Sequence, residues 1–435
     1  MAHSTTADDG DLIHAHPAPS PAAVSTRGAW IALLLLTLAY SFSWMDRFLL
    51  VILIDPISRD LHVSNTEIGL LTGFGASLLY SLSGLVIAPL ADRRSRSTII
   101  ALAVGTWSAL TAAIGFAGSF ATLALSRFGI AIASAGCSPA AYSLISDLFP
   151  ARKRGTAIAI YSLGISLGTW AGLTLGGLAA DTLGWRNAFL ALGLPGLAVA
   201  LVLRLGLREP ARGRFETDQA DVDHHYSARE ALRFFVGHRG FAGIALGFAF
   251  LSCATSAFEN WVPTYLIRAH ALSATEVGSV SGLFQGLTGI FGALFFGIMS
   301  DRLARRDPRW YLWVPLICAG IAGPVIALFF QLPKTGSYAC YFVIEFCVSG
   351  YSAPLFAASQ MVLPPRLRAL GMATILFFLN VIGTGLGPFL TGYASDLIGG
   401  PGPVGGLAQA IVLMQLVALL GAAGLLVAAR SFRRD

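Results

Sequence analysis

The chain has 435 residues, of which 55% are hydrophobic and only 12% charged, about half the charge fraction of an ordinary soluble domain. This composition excludes an ordinary soluble enzyme and a disordered chain, and apolar residues that come in long runs rather than in alternation exclude a transmembrane β-barrel. One membrane-crossing helix takes about 20 residues, so with short loops the length holds about twelve, and the net charge of +6 is informative through its placement.

Residues 1–28 are rich in Pro, Ala, Ser, Thr and His and lack a basic signal-peptide region, so a flexible cytoplasmic tail is predicted. Twelve apolar runs follow, at about 29–54, 66–90, 97–118, 121–146, 155–180, 185–207, 240–267, 275–300, 310–332, 336–362, 367–394 and 404–429. Each is long enough to cross a bilayer. Helix is required, because backbone groups in lipid must bond within their own segment. The expected fold is therefore an all-α membrane protein of two six-helix, pseudo-symmetric bundles, 29–207 and 240–429. A polar cytoplasmic linker, 208–239, joins them, and a short tail, 430–435, ends the chain.

With the runs alternating in direction, 23 of the 29 Lys and Arg fall on the side of both termini, four on the other (Arg59, Arg186, Arg268, Lys334), and Arg47 and Arg127 fall within spans. The positive-inside rule places the termini and the linker in the cytoplasm of a plasma (bacterial inner) membrane. The loop arginines thus read as topology signals, and no nucleic-acid partner is expected.

The halves repeat. The stretch Ala88 to Arg96 after the second run recurs as Gly297 to Arg306 after the eighth, and Gly168, Gly172 and Gly177 recur 215 residues later as Gly383, Gly387 and Gly392. Parallel repeats about an axis along the membrane normal predict a substrate site near the midplane between the halves, with rocking as the transport step. Asp92, Arg93 and Arg96, and in the second copy Asp301, Arg302 and Arg305, are candidate gating residues, because opposite charges at a helix end can clamp neighbouring helices. The glycines at 164, 168, 172 and 176 are expected to let helices approach closely.

Five charges lie well inside spans: Asp46, Arg47, Arg127, Glu259 and Glu345. Intramembrane charges point to function. At about 1.5 Å per residue, Asp46, Arg127 and Glu259 share a level toward the outer side. Asp46 or Glu259 can neutralise Arg127, and Arg47 adds a second positive charge. The cluster reads either as a structural ion network or as a gate whose pairing alternates. Glu345 is near the midplane, on a predicted face with Ser349, Ser352 and Ser359, and Arg127, Ser134 and Ser138 form a matching stripe. Such stripes line a cavity or glue helices together. Tyr40 and Tyr161 are candidate cavity residues, with packing the alternative. Glu259 and its neighbours Ser252, Thr255 and Ser256 share a face of the seventh run, and Gln285, Thr288 and Asn380 are weaker candidates. The five cysteines sit in apolar runs and read as reduced small hydrophobes. No mid-run histidine supplies a metal site, and no phosphate-cradling loop or hydrolase elbow is present. No cofactor, metal or catalytic residue is expected.

These motifs resemble the major facilitator superfamily. The loop after the second run is similar to its G-x-x-x-D-R-x-G-R pattern, with Ala88 and Ser95 in place of glycines, and the Arg127 segment resembles its fourth-helix arginine motif. Gly168–Gly177 resembles the fifth-helix motif of antiporters, with Leu173 in place of its proline. Within the superfamily, Met45-Asp46-Arg47, the Ala135–Pro139 and Ser146–Pro150 stretches, Ala159–Gly164 and Trp185–Phe189 are similar to the Spinster-like branch. That resemblance implies proton-coupled movement of lysolipids or other amphipaths. The fourth-helix glutamate usual in that branch is Ser134 here, so a coupled proton needs another carrier, Glu345 first and Asp46 second. The expectation is a monomeric secondary transporter in the lipid bilayer. Its cargo is a lysolipid-like amphipath or a small organic or aromatic carboxylate drawn by Arg47 and Arg127. A non-transporting receptor or sensor on the same scaffold is the alternative; the duplicated Asp-Arg loops and the short linker count against it.

Overall fold

The computed structural model describes residues 26–207, 209–212, 234–235, 237–364, 367–402 and 404–432, without the side chains of 88–93 and 369. The expectations for residues 1–25, for 213–233 of the linker, for 433–435 and for the Asp92 and Arg93 side chains lie outside the described residues.

Among the described residues all regular structure is helical, and twelve helices are long and apolar enough to cross a membrane: α1 (Thr26–Ile52), α2 (Asn65–Ile87), α3 (Arg96–Ile114), α4 (Phe120–Leu148), α5 (Ala151–Leu183), α6 (Trp185–Gly206), α7 (Arg239–His270), α8 (Ala274–Ala304), α9 (Trp310–Phe329), α10 (Lys334–Val362), α11 (Leu370–Ile398) and α12 (Leu407–Ser431). α1 begins inside the stretch expected as a tail and α7 inside the expected linker. Polar residues fit there because the first N–H groups of a helix lack an intrahelical partner. At α7, His238 Nδ1 takes the Phe241 amide at 3.2 Å. The five cysteines are free and buried.

Two spans are not continuous, a feature that apolar runs do not announce. α4 breaks between Ser134 and Cys137, and α10 between Val348 and Ser352. Wider π-helical turns interrupt α2 (Leu70–Phe74), α8 (Gly282–Thr288) and α11 (Leu379–Leu386), irregularities that concentrate at functional sites.

The repeated glycines hold each half together and then join the halves. A Cβ at Gly172 would sit 2.5 Å from the Met45 carbonyl of α1, and one at the matching Gly387 of α11 would sit 2.4 Å from the Cys253 carbonyl of α7. One turn or more further on, Gly177 meets the Ala274 carbonyl at the start of α8, and Gly392 meets the Asn65 carbonyl at the start of α2, each 2.2 Å from where a Cβ would lie. Thus α5 leans on α1 and then on the second half, and α11 leans on α7 and then on the first. Small residues permit this close packing.

Candidate functional site

Asp46 of α1 accepts from Arg127 Nη1 of α4 at 2.9 Å and from the Thr111 hydroxyl of α3 at 2.5 Å. Both charged residues are buried, at 4% and 6% exposure. Arg127 is therefore neutralised by Asp46 and not by Glu259, and the cluster lies wholly within the first half. Arg47 follows Asp46 by one residue, hence about 100° around the helix. It points elsewhere: its guanidinium lies 5.3 Å from the centre of the Trp44 ring, within electrostatic range of Glu259 on α7. Trp44 meets Tyr40 edge-on, and Tyr40 stacks on Tyr161 of α5 with ring centres 4.5 Å apart. Tyr142 closes this row edge-on against Tyr161.

The second half holds a different arrangement. Glu345 of α10 is 4% exposed, and its Oε1 has no hydrogen-bond partner. Glu259 lies within its electrostatic range. Gln285 of α8 donates from Nε2 to the Glu259 carbonyl at 3.0 Å and to the Tyr341 hydroxyl at 2.7 Å. It thereby ties α7, α8 and α10 together one turn from Glu345, and its own Oε1 is left without a partner. Thr255 and Tyr351 share a hydrogen bond of 2.8 Å on the same side of α7. Gln285 stood among the weaker candidates, and Thr111, Tyr341 and Tyr351 were missed. The signal for Tyr341 was its place four residues before Glu345, on one helical face.

The serine stripes need correction. The breaks in α4 and α10 mean that Ser134 and Ser138, and Ser349 and Ser359, do not share a continuous helical face. Ser134 donates to the Ala131 carbonyl at 3.1 Å, Ser349 to Phe346 at 2.8 Å and buried Ser359 to Leu355 at 2.7 Å. Ser349 also packs on Gly292 of α8, where a Cβ would lie only 1.9 Å from its oxygen.

On the face carrying the termini, Arg96 is 2% exposed. It donates to Asp147 at 2.5 Å, to Ser143 at 2.8 Å and to Glu209 at 2.7 Å. Glu209 also accepts from the Ser95 hydroxyl and the Ser97 amide, both at 3.0 Å. Burial pushes the Glu209 carboxyl up, but the Ser97 amide and the Arg96 guanidinium outweigh it and hold it below the usual range. The second copy does not repeat this clamp. Asp301 accepts from Tyr311 at 2.9 Å, while Arg302 and Arg305 are exposed and form no ion pair among the described residues. The physical reason is a missing acid, since Val362 stands 215 residues after Asp147.

The opposite face is sealed by bonds between the halves. Asp181, at the end of α5, accepts from the amides of Ala274 (3.3 Å) and Thr275 (2.7 Å) in the first turn of α8. Asp396, 215 residues later at the end of α11, accepts from the amides of Asn65 (3.3 Å) and Thr66 (2.7 Å) and from the Thr66 hydroxyl (2.6 Å) in the first turn of α2. Each carboxylate caps a helix of the other half, where orphan N–H groups and the helix dipole favour a negative charge. Arg268 at the end of α7 adds bonds to Asp55 (2.8 Å) and to Asn65 (3.2 Å). In the sequence Arg268 is marked only as a topology signal, and Asp181 and Asp396 are not singled out. The common offset of Asp181 and Asp396 was the available signal.

A family model described as Major Facilitator Superfamily matches residues 36–388. An MFS-type efflux pump of Mycolicibacterium smegmatis is 32% identical over 415 residues, covering 94% of each chain. A sphingosine-1-phosphate transporter, SPNS2, of Danio rerio is 27% identical over 89% of this chain and 80% of its own. A crystal structure of a bacterial homolog of the human lysosomal transporter Spinster, inward-facing and unoccupied, superposes with a TM-score of 0.86 at 29% identity, covering 94% of this chain and 98% of that one. Its inward-facing, occupied form gives 0.82 at 30% identity. With twelve spans, repeat-related helix pairs and these likenesses, the chain belongs to the major facilitator superfamily of transporters, in its Spinster-like branch.

Proposed function

We propose that this transporter moves a lysolipid-like amphipathic molecule by alternating access, with Glu345 carrying a coupled proton. Residues 29–207 and 240–429 are the two moving bodies and 208–239 tethers them. The face bearing the termini is cytoplasmic, by the 23-to-four bias of its basic residues. The bonds that Asp181, Asp396 and Arg268 make between the halves then seal the outer face, so the arrangement is inward-facing. Breaking these repeat-related ties and forming others at the cytoplasmic face is the step that exchanges access. Arg96 with Asp147 and Glu209 braces the first half against the linker, and Arg302 and Arg305 are the free partners of the opposite state.

The observation that carries the coupling is the buried carboxyl of Glu345, whose Oε1 has no partner. A deeply buried carboxyl without a counter-charge is costly when charged, so a group that gains and loses a proton as access changes fits that position. Pairing of Asp46 with Arg127 holds Asp46 in a structural role and takes away the arginine that a small carboxylate would need. The name of the Danio rerio relative adds support for a lipid-like cargo.

The test is uptake of a labelled lysolipid into liposomes holding the purified protein. Accumulation should follow an imposed pH gradient and collapse with a protonophore. Movement that ignores the gradient would remove the proton from the account, and no movement of the lysolipid would remove the cargo. Orientation is tested separately: single cysteines at Ser64 and Gln219 should label from opposite sides of the membrane, and labelling of both from outside contradicts it.

A further inference from the structure

We infer that Glu345 and Gln285, with Glu259 beside them, receive the ammonium group of a cationic or zwitterionic amphipath, and that this ammonium and a proton occupy Glu345 in turn. The inference rests on the proposed role of Glu345 and adds the chemistry of the cargo's head.

The charges near the midplane argue first. Asp46 and Arg127 cancel within the first half. What remains at the meeting of the halves is one cation, Arg47, against two carboxyls, Glu259 and Glu345, and Arg47 lies against Trp44 within range of Glu259. Glu345 is left without a countercharge. With Glu345 ionised, the arrangement is therefore one positive charge short.

The hydrogen-bond inventory argues independently. Of the unpartnered atoms around Tyr341 and Glu345, Glu345 Oε1 and Gln285 Oε1 are acceptors, and Ser281 Oγ is a hydroxyl that can donate or accept. The Gln285 amide is not free to flip, because its Nε2 faces the Glu259 carbonyl, which can only accept. An ammonium brings three N–H donors and no acceptor, whereas a carboxylate or phosphate brings only acceptors.

The exchange balances. A protonated Glu345 meets R–NH3+, the carboxyl O–H bond breaks, the proton leaves to water, and the carboxylate holds the ammonium. One positive charge enters and one departs, so neither state buries an unpaired charge. The titratable or charged groups facing Glu345 are Glu259 on α7, with Arg47 of α1 behind it, and Tyr341 and Tyr351 on its own span. Cargo and proton thus travel in opposite directions.

The test uses the full-length protein in neutral detergent and weak buffer, with protein-free micelles as the blank. Decylamine, decanoate and decanol, equal in chain length, are titrated in turn. Decylamine should bind at least about tenfold tighter than the other two and release about one proton per protein. In E345Q the release should vanish and the preference for the amine should shrink; in E259Q binding should weaken while release persists. Equal binding of decanoate, or undiminished release in E345Q, overturns the inference, and the wild-type comparison decides even if a variant misfolds. Amine binding with proton release but no movement in liposomes would sink the transport reading alone. Lysolipid movement without any amine preference would sink this inference alone.

Discussion

In the first half, each deeply buried charge among the described residues has a counter-charge: Asp46 with Arg127, Asp55 with Arg59 and Arg268, Arg96 with Asp147 and Glu209. In the second half the deeply buried charge among the described residues is Glu345, and it has none. The same backbone plan, repeated at an offset of 215 residues, thus buries charge in two ways. A paired charge is fixed, because removing its partner strands it in a low-dielectric interior. An unpaired carboxyl can exchange what neutralises it. The comparison teaches that the repeat supplies symmetric helix packing while the chemistry is placed asymmetrically on it.

The largest effect that would break this contrast is at Arg127. Arg127→Ala leaves Asp46 buried with only Thr111 as donor and should cost about 3–5 kcal/mol, read as a lower thermal unfolding temperature, with transport abolished. The double variant Asp46→Asn with Arg127→Gln should recover most of the stability. If Arg127→Ala unfolds at the wild-type temperature, the first-half charges are not structural.

The Arg96 network predicts a pH dependence. Glu209 is held below its ordinary carboxylate value in the folded protein. Its stabilisation is therefore present at neutral pH and is lost as the pH falls below the unfolded-chain value of about 4.3 toward the folded one. Glu209→Gln should lower stability at neutral pH and converge on wild type in acid. Curves that run parallel across that window would detach Glu209 from Arg96.

Smaller effects are expected at the sealed face. Asp181→Asn and Asp396→Asn each remove a negative charge from the N-terminus of a helix of the other half, worth about 0.3–1 kcal/mol. Either alone should modestly increase labelling of a cysteine placed at the midplane by an impermeant reagent from that face, and the pair should add. A large loss from one and none from the other would contradict the symmetric latch. The smallest effect should come from Glu345→Gln, which removes no counter-charge: its unfolding free energy should stay within about 1 kcal/mol of wild type. A loss as large as that of Arg127→Ala would mean that Glu345 is structural too.

Much of this fold was legible. Membrane helices are long apolar runs because lipid leaves the backbone no other partner, and the glycine repeat at 168, 172 and 177 gave the packing of α5 and α11. The breaks at 135–136 and 349–351 were hidden, because apolar sequence carries no mark of where a buried helix deviates. Depth was readable and direction around the helix was less so. Asp46, Arg127 and Glu259 share a level, yet which acid meets Arg127 depends on how α1, α4 and α7 are rotated. Arg47 differs from Asp46 by one step around α1 and so faces another neighbour. Gln285 reaches the Glu345 region from α8, a closeness that one chain read in order does not display, whereas Tyr341 lies one turn from Glu345 on the same helix. The missing second clamp was readable in hindsight, since the position matching Asp147 is Val362.

The central claim is that Glu345 exchanges a proton while the first-half charges do not. It is tested most directly by measuring labelled lysolipid uptake by wild type and Glu345→Gln in liposomes, with and without an imposed pH gradient. Glu345→Gln should still exchange labelled for unlabelled cargo at equilibrium but lose uphill accumulation driven by the gradient. Accumulation that persists unchanged in the Gln variant would contradict the account.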